Sequence, residues 1–147
     1  MGAGKSTTGA LLAERLHRPF VDLDQRIVEV EGMGIPTLFE QGRFREVEAR
    51  ELAAVLDGPP VVLATGGGAP CQPGAMSRLL ASGWVCWLDA PLDVLRDRVG
   101  EGEGRPLWDD AVEDRYHQRR PIYARAAATV LSGPGVLDAI LEQWHAR

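Results

Sequence analysis

Residues 2–7 read Gly-Ala-Gly-Lys-Ser-Thr, and this stretch decides the fold. Glycines let backbone N–H groups turn toward a phosphate, and a helix that starts directly after them adds partial positive charge. Lys5 can then reach the β- and γ-phosphates of a nucleotide, while the Ser6 hydroxyl can ligate Mg²⁺. A glycine-rich helix start with an incidental lysine is the alternative. The agreement of the other motifs favours the phosphate site.

The phosphate loop is incomplete at its beginning. A full loop of this type has a first glycine, four residues and then Gly-Lys-Ser/Thr, with a buried strand before it. Here Gly4 would be the second glycine, so the first would lie one residue before Met1. The strand is also missing, which would leave two neighbouring strands with unpaired backbone groups. We therefore expect the natural start of the protein to lie upstream of Met1.

Short apolar runs alternate with amphipathic stretches along the rest of the chain. The patterns predict helices over residues 5–17, 43–57, 74–82, 92–99, 110–127 and 136–144, and strands over 19–22, 61–64, 84–88 and 128–131. This alternation predicts an α/β domain with a parallel sheet covered on both faces. Ligands of such sheets bind at the carboxyl ends of the strands.

Composition excludes several classes of protein. The chain has 147 residues and a formal net charge of -5, which suits one domain and argues against a nucleic-acid binder. No run approaches the ~18 apolar residues of a membrane span, and no secretory signal opens the sequence. Cys71 and Cys86 lack metal-ligand spacing, so we interpret them as reduced thiols. We expect a cytoplasmic protein.

Asp22 and Asp24 follow the first predicted strand. If the segment is extended, the side chains at i and i+2 point the same way, so both could face the phosphates. One could then hold a water on Mg²⁺ while the other accepts the proton of an attacking hydroxyl. Asp24 is equally well placed to cap a helix beginning near Gln25. The two interpretations remain open on these residues alone.

Three further elements suggest an acceptor site and a lid. Arg45 and Arg119 could form bidentate clamps for a carboxylate, although a solvated helix face explains most arginines. Residues 66–68 are three glycines after an apolar strand, which would let backbone amides approach a substrate closely, whereas a plain turn rarely needs three. Arg105 ends a Gly/Glu-rich loop, so it is either a lid residue that closes over ATP or part of an inert surface loop.

Taken together, these residues resemble the shikimate kinase family over nearly the whole chain. The matching pieces are Gly-Ala-Gly-Lys-Ser-Thr-Thr-Gly, Phe-Val-Asp-Leu-Asp, Phe-Arg-Glu-Val-Glu, Ala-Thr-Gly-Gly-Gly-Ala, Arg-Pro-Leu and Arg-Arg-Pro-Ile-Tyr. The resemblance implies a P-loop fold with a parallel sheet of order 2-3-1-4-5, whose first, central strand is missing from this sequence. It also implies a single domain over residues 1–147, with a substrate-binding segment at about 24–52 and a lid at about 100–112.

The resemblance also implies roles for individual residues in transfer of the ATP γ-phosphate to the 3-hydroxyl of shikimate. Catalytic roles fall to Lys5, Asp24 and Arg105, and the metal ligands for Mg²⁺ are Ser6 and Asp22. ATP would be bound by Gly2, Ala3, Gly4, Lys5, Ser6, Thr7, Arg98, Arg105 and Pro134. Shikimate would be bound by Asp24, Arg45, Gly66, Gly67, Gly68 and Arg119.

Other functions remain as alternatives to a shikimate kinase. Gluconate kinases share the fold, as do nucleotide and adenylylsulfate kinases, but a nucleotide acceptor favours an aromatic stacking partner, which the acceptor segments supply only as Phe44. A non-catalytic nucleotide-binding remnant is the alternative from another class, motivated by the missing strand. We expect a monomer whose partners are ATP and a small carboxylate-bearing polyol, with neither nucleic acid nor membrane.

Overall fold

The structure is a computed structural model that describes residues 4–100 and 110–147. Its helices are α1 (Lys5–Arg15), α2 (Leu23–Glu31), α3 (Ile35–Glu40), α4 (Phe44–Leu56), α5 (Ala75–Ser82), α6 (Leu92–Gly100), α7 (Asp110–Tyr123) and α8 (Val136–Ala146). Its strands are β1 (Phe20–Asp22), β2 (Val62–Ala64), β3 (Cys86–Asp89) and β4 (Ala128–Leu131). The predicted α/β class is confirmed, and every predicted helix and strand is present.

A helix near α2 was considered only as an alternative, α3 was not predicted, and α7 ends four residues earlier than predicted. Helices α2 and α3 are nine and six residues long, too short for a clear apolar repeat in the sequence. Helix α7 was predicted to reach residue 127 but ends at Tyr123. Tight turns follow it, in which the N–H groups of Arg125 and Ala126 bond to carbonyls three residues back. These turns redirect the chain into β4.

The strands form two parallel pairs. Phe20 lies opposite Val62 in the β1–β2 pair, and Cys86 lies opposite Ala128 in the β3–β4 pair. Both pairs are neighbours in the order 2-3-1-4-5, and the place of the middle strand stays a prediction. Among the described residues no ladder joins β2 to β3. A cavity of about 530 Å³ separates them, lined on its two sides by residues such as Leu63 and Trp87.

The main core lies on one side of this cavity. It is formed by buried side chains from α2, α3, α4, α5 and the segment after β2, namely Leu23, Ile27, Leu38, Phe44, Val47, Leu52, Ala69 and Leu79. Burying a large aliphatic side chain stabilises the fold by roughly 1.5–3 kcal/mol. A second cluster, of Ala90 and Leu95, is much smaller. In the described part of the chain, no helix is long and apolar enough to cross a membrane.

Candidate active site

Helix α1 begins at the phosphate loop and is held close to β1. Gly4 caps the helix with φ 80°, a left-handed conformation that favours glycine, and its carbonyl accepts the N–H of Thr8 at 2.9 Å. One turn later, a Cβ on Gly9 would lie 2.7 Å from the ring of Phe20. Only a glycine at this position lets α1 pack so tightly on β1, and this packing brings the first turn of α1 to the end of that strand.

The two predicted metal ligands are in contact. The Ser6 hydroxyl donates a hydrogen bond to Oδ2 of Asp22, the last residue of β1. Oδ1 of Asp22 accepts the N–H of Gln25 at 3.1 Å, so Asp22 is the N-cap of α2. A hydroxyl and one carboxylate suit Mg²⁺, which in proteins binds one or two carboxylates and completes its shell with phosphates and waters. Among the described residues, no cluster of three or more His, Cys, Asp or Glu side chains offers an alternative metal site.

The extended geometry considered for Asp22 and Asp24 is wrong. The strand ends at Asp22, and Asp24 lies in the first turn of α2. The helix cap considered for Asp24 is also wrong, since Asp22 takes that place. An N-cap needs extended backbone, and Asp22 has it at φ -94° and ψ 116°.

Asp24 nevertheless faces the glycine triplet. A Cβ on Gly66 would lie 3.0 Å and 3.2 Å from its two carboxylate oxygens. Burial raises the pKa of the Asp24 carboxyl above its usual value, and the negative charge of Asp22 raises it further. The charges of Lys5 and Arg45 lower the same pKa. The carboxyl is therefore a stronger base than a solvated aspartate, next to two cationic side chains.

Arg45 lies against the other end of the glycine triplet. A Cβ on Gly68 would come within 2.6 Å of both terminal nitrogens of its guanidinium. Nη1 of Arg45 donates to Oε1 of Glu48 at 2.7 Å, and Glu48 is only 2% exposed. Burial raises the pKa of the Glu48 carboxyl, which the hydrogen bond and charge of Arg45 partly offset. Glu48 therefore anchors one edge of the guanidinium and leaves the rest facing the glycines.

Two phenylalanines form a platform under Arg45. The rings of Phe39 and Phe44 stack with centroids 4.4 Å apart, and the guanidinium lies 5.6 Å and 5.2 Å from them. The expectation that Phe44 alone could stack on an acceptor base is therefore wrong. Phe44 is 6% exposed and belongs to the core, whereas Phe39 is 51% exposed. The exposed ring next to the acceptor residues is already covered on one face by Phe44.

Helix α7 closes the site from the opposite side. The Tyr123 hydroxyl donates to the carbonyl of Gly67, and the Cys71 thiol lies 3.7 Å from the same oxygen. Burial raises the pKa of Tyr123 to about 12, so the phenol stays protonated and remains a donor. The carbonyl of the middle glycine is thus held by Tyr123 of α7.

Arg119 and Lys5 meet across the mouth of the cavity, which both residues line together with Gly66 and Gly67. Burial lowers the pKa of the Lys5 ammonium, and the positive charge of Arg119 lowers it too, while Asp24 and Asp22 raise it. In the described part of the chain Arg119 forms no ion pair with a carboxylate, in contrast to Arg45. Its guanidinium interacts with the Tyr123 hydroxyl and has no carboxylate partner among the described residues.

The other predicted site residues either lie apart from the residues around the glycine triplet or are outside the part of the chain that the structure describes. Thr7 is exposed in the first turn of α1, and Pro134 is exposed in the loop between β4 and α8. Gly2, Ala3 and Arg105 lie outside the described residues, and so does the side chain of Arg98. The structure thus brings together Lys5, Ser6, Asp22, Asp24, Arg45, Gly66, Gly67, Gly68 and Arg119.

Sequence reasoning missed two residues of this site. Glu48 and Tyr123 both stand in quoted motifs, Phe-Arg-Glu-Val-Glu and Arg-Arg-Pro-Ile-Tyr, yet neither received a role. A glutamate three residues after an arginine in a helix was an available signal for Glu48, because i and i+3 side chains are neighbours. Nothing local points to Tyr123, since its partner Gly67 is 56 residues away.

Comparison with known proteins gives one family. The family model described as "SKI: Shikimate kinase" matches residues 1–143. The shikimate kinase of Bradyrhizobium diazoefficiens is 43% identical, with 97% of this chain aligned to 73% of that protein. The shikimate kinase of Sulfurihydrogenibium is 35% identical, over 97% of this chain and 90% of that protein.

Solved structures agree with the sequence relatives. Shikimate kinase from Bacteroides thetaiotaomicron superposes with a TM-score of 0.87 at 28% identity, covering 99% of this chain and 92% of that one. Shikimate kinase from Acinetobacter baumannii, solved in complex with shikimate, gives 0.85 at 32% identity over 99% and 86%. The chain therefore belongs to the shikimate kinase family of ATP-dependent kinases.

Proposed function

We propose that this protein transfers the γ-phosphate of ATP to the 3-hydroxyl of shikimate, giving shikimate 3-phosphate and ADP. The observation that carries the proposal is the grouping of Asp24, the glycine triplet, Arg45 and Arg119 around one space that also reaches Lys5. Shikimate has one carboxylate for arginines and several hydroxyls for an aspartate and backbone amides. The site offers all three kinds of group.

The two arginines are proposed to hold the acceptor carboxylate. Arg45 has one edge fixed by Glu48, and Arg119 forms no ion pair in the part of the chain that the structure describes. Two guanidinium groups on different helices can grip a planar carboxylate from two sides. This contact places the acceptor hydroxyl near Asp24 and the N–H of Gly67.

Asp24 is proposed as the base. As the acceptor oxygen forms a bond to the γ-phosphorus, the bond from phosphorus to the β-phosphate oxygen breaks, and the hydroxyl proton passes to a carboxylate oxygen of Asp24. The raised pKa of Asp24 makes its carboxylate a better proton acceptor than a solvated aspartate. The charges of Lys5 and Arg45 oppose this rise.

Lys5 and the start of α1 are proposed to hold the ATP phosphates. The ammonium of Lys5 and the backbone amides of residues 2–7 would balance the charge that develops on the transferred group. Ser6 and Asp22 would hold Mg²⁺, which when bound neutralises charge on the β- and γ-phosphates. ATP contacts of Arg98, Arg105, Thr7 and Pro134 stay predictions, as do the lid at about 100–112, the monomeric state and the cytoplasmic location.

Turnover with a panel of acceptors tests the proposal. ADP release is measured with Mg²⁺-ATP and shikimate, gluconate, adenylylsulfate or nucleoside monophosphates in parallel. We expect turnover with shikimate alone, and phosphorus NMR should show a phosphate monoester on the 3-oxygen. Turnover with gluconate alone would assign the protein to the other acceptor class. ATP binding without turnover of any acceptor would support the non-catalytic alternative.

A further inference from the structure

A cluster of four residues next to the site has no place in the mechanism above. Arg120, the neighbour of Arg119, forms a fork-like ion pair with Asp89 at the end of β3. The two bonds join Nη1 to Oδ1 at 2.8 Å and Nη2 to Oδ2 at 3.3 Å. The guanidinium also lies 4.8 Å from the ring centroid of Trp87 and 5.1 Å from that of Tyr116.

The cluster is more than an exposed ion pair. Nη1 of Arg120 also donates to the Tyr116 hydroxyl at 2.7 Å, and that hydroxyl bonds to the carbonyl of Ala90 at 3.3 Å. Asp89 is 19% exposed, so its carboxylate has little access to water. Isolated ion pairs at the surface contribute little to the free energy of unfolding. Two parallel charge-assisted bonds with aromatic stacking, in contrast, determine both the orientation and the position of the guanidinium.

Helix α7 buries few apolar side chains completely. Of the α7 side chains that the structure describes, Val112 is the one buried apolar residue. The helix nevertheless carries Arg119 and Tyr123, which both face the acceptor site. The ring of Tyr123 contacts Trp87, and the ring of Tyr116 packs on the small cluster of Ala90 and Leu95, so the polar contacts of Arg120 add to aromatic packing in placing these side chains.

We propose that Arg120 is a positioning residue for the acceptor site, which it serves by tying α7 to the end of β3 through Asp89 and Trp87. This inference rests on the proposed function, because it takes Arg119 to bind the acceptor carboxylate and states what holds Arg119 in place. Arg120 itself does not touch the acceptor. Without this ion pair, α7 keeps weaker polar attachments near Arg119, such as the Tyr116 bond to the Ala90 carbonyl and the Tyr123 bond to Gly67, but loses the charged one.

Steady-state kinetics of three variants test this role. In Arg120→Gln and Asp89→Asn, we expect KM for shikimate to rise about tenfold, with kcat and KM for ATP within about twofold of wild type. In the double variant, the rise should equal that of either single variant, because both remove the same interaction. Arg120→Lys keeps the charge but not the fork, so we expect a smaller rise, about threefold. Arg115→Gln, an exposed position on the same helix, is the matched control and should leave all three constants unchanged.

The readouts separate positioning from stability. A residue that only stabilises the fold would lower kcat with the folded fraction and leave KM unchanged, and that outcome would overturn the inference. A shikimate KM within twofold of wild type in folded Arg120→Gln would overturn it too, and if that variant does not fold, Arg120→Lys and Asp89→Asn decide by the same criterion. Wild-type turnover is measured first, since its absence contradicts the proposed function and this inference together, whereas an active wild type with unchanged variants contradicts this inference alone.

Discussion

The acceptor side and the nucleotide side of the site are held by different kinds of contact. The acceptor side comprises α2, α3, α4 and the glycine triplet, and it lies on the main core of eight buried side chains. The nucleotide side comprises the start of α1 together with β3 and α6, and it borders the cavity of about 530 Å³ and the small cluster around Leu95. One side is placed by packing, and the other by a tight backbone approach and a few charges.

Ion pairs reinforce this difference. Glu31 of α2 binds Arg50 at 2.5 Å and Arg43 at 2.9 Å, and Arg26 of α2 binds Glu51 of α4 at 3.1 Å. These bonds tie the helix that carries Asp24 to the helix that carries Arg45. We infer from this comparison that the part of the proposed acceptor site carried by α2 and α4 is preformed. Variants of the phosphate-binding residues should therefore change kcat, and variants of the carboxylate-binding residues on the acceptor side should mainly change KM.

The largest effect is expected on the nucleotide side, at Lys5. Lys5→Met should lower kcat about 10³-fold without unfolding the protein, because it removes charge stabilisation from the transition state. Lys5 is the single lysine of the sequence, so an amine-acylating reagent can modify no other side chain. Burial lowers its pKa, which raises the fraction of reactive free amine. Acylation should inactivate the enzyme, and Mg²⁺-ATP should protect it.

Mass spectrometry of the acylated protein serves as the control for this prediction. Modification of Lys5 with full retention of activity would show that the ammonium has no part in transfer. It would also remove the basis for treating the start of α1 as the nucleotide side.

On the acceptor side, Gly68→Ala should raise KM for shikimate by about 10²-fold and change kcat little. The new Cβ would lie 2.6 Å from both terminal nitrogens of Arg45, so the guanidinium must move from the position in which we propose that it binds the carboxylate. Tm should fall somewhat as well, because the displaced guanidinium also weakens its bond to the buried Glu48 carboxylate. Gly83→Ala is the matched control, since its Cβ would meet nothing within 4 Å. Equal KM values in the two variants would contradict a preformed acceptor site.

The pH profile sharpens the same comparison. The base must be ionised, so kcat/KM should fall as the pH decreases through the pKa of Asp24, which lies above the ordinary aspartate value. Arg45 lowers that pKa, so in Arg45→Gln the acid limb should move to higher pH. Arg43→Gln is the control, because Arg43 pairs with Glu31 instead. An acid limb that stays in place in Arg45→Gln would argue that a different group is the base.

The smallest effect is expected from the ion pairs between α2 and α4. The hydrogen bond from Arg50 lowers the pKa of Glu31, and burial only partly opposes it. A carboxyl with a lowered folded-state pKa contributes its stability above the unfolded pKa and loses it as the pH falls through the folded one. Arg50→Gln should therefore lower Tm slightly at pH 7, and the difference from wild type should vanish in strong acid. A difference that is independent of pH would point to packing of the Arg50 side chain instead.

Local sequence signals predicted much of the fold and of the site. The alternation of apolar runs and amphipathic stretches gave all four strands and six helices, because period and turn residues act over a few positions. The phosphate loop and the motifs around Arg45 and Arg119 identified residues that the structure brings together. The apolar pattern did not predict α2 and α3, because each helix is too short to show a helical repeat of apolar residues.

What only the tertiary structure decided are the contacts between distant segments. The residue types that suit phosphates, Mg²⁺ and a carboxylate could be read from the sequence, since their chemistry depends on the side chain alone. That Asp22 rather than Asp24 caps α2, that Glu48 fixes Arg45, and that Tyr123 holds Gly67 could not be read. The ion pair of Arg120 with Asp89, which is 31 residues away, could not be read from the sequence either. The physical reason is that hydrogen bonds and ion pairs depend on ångström-scale distances, which the packing of α7 and α4 against the glycine triplet determines.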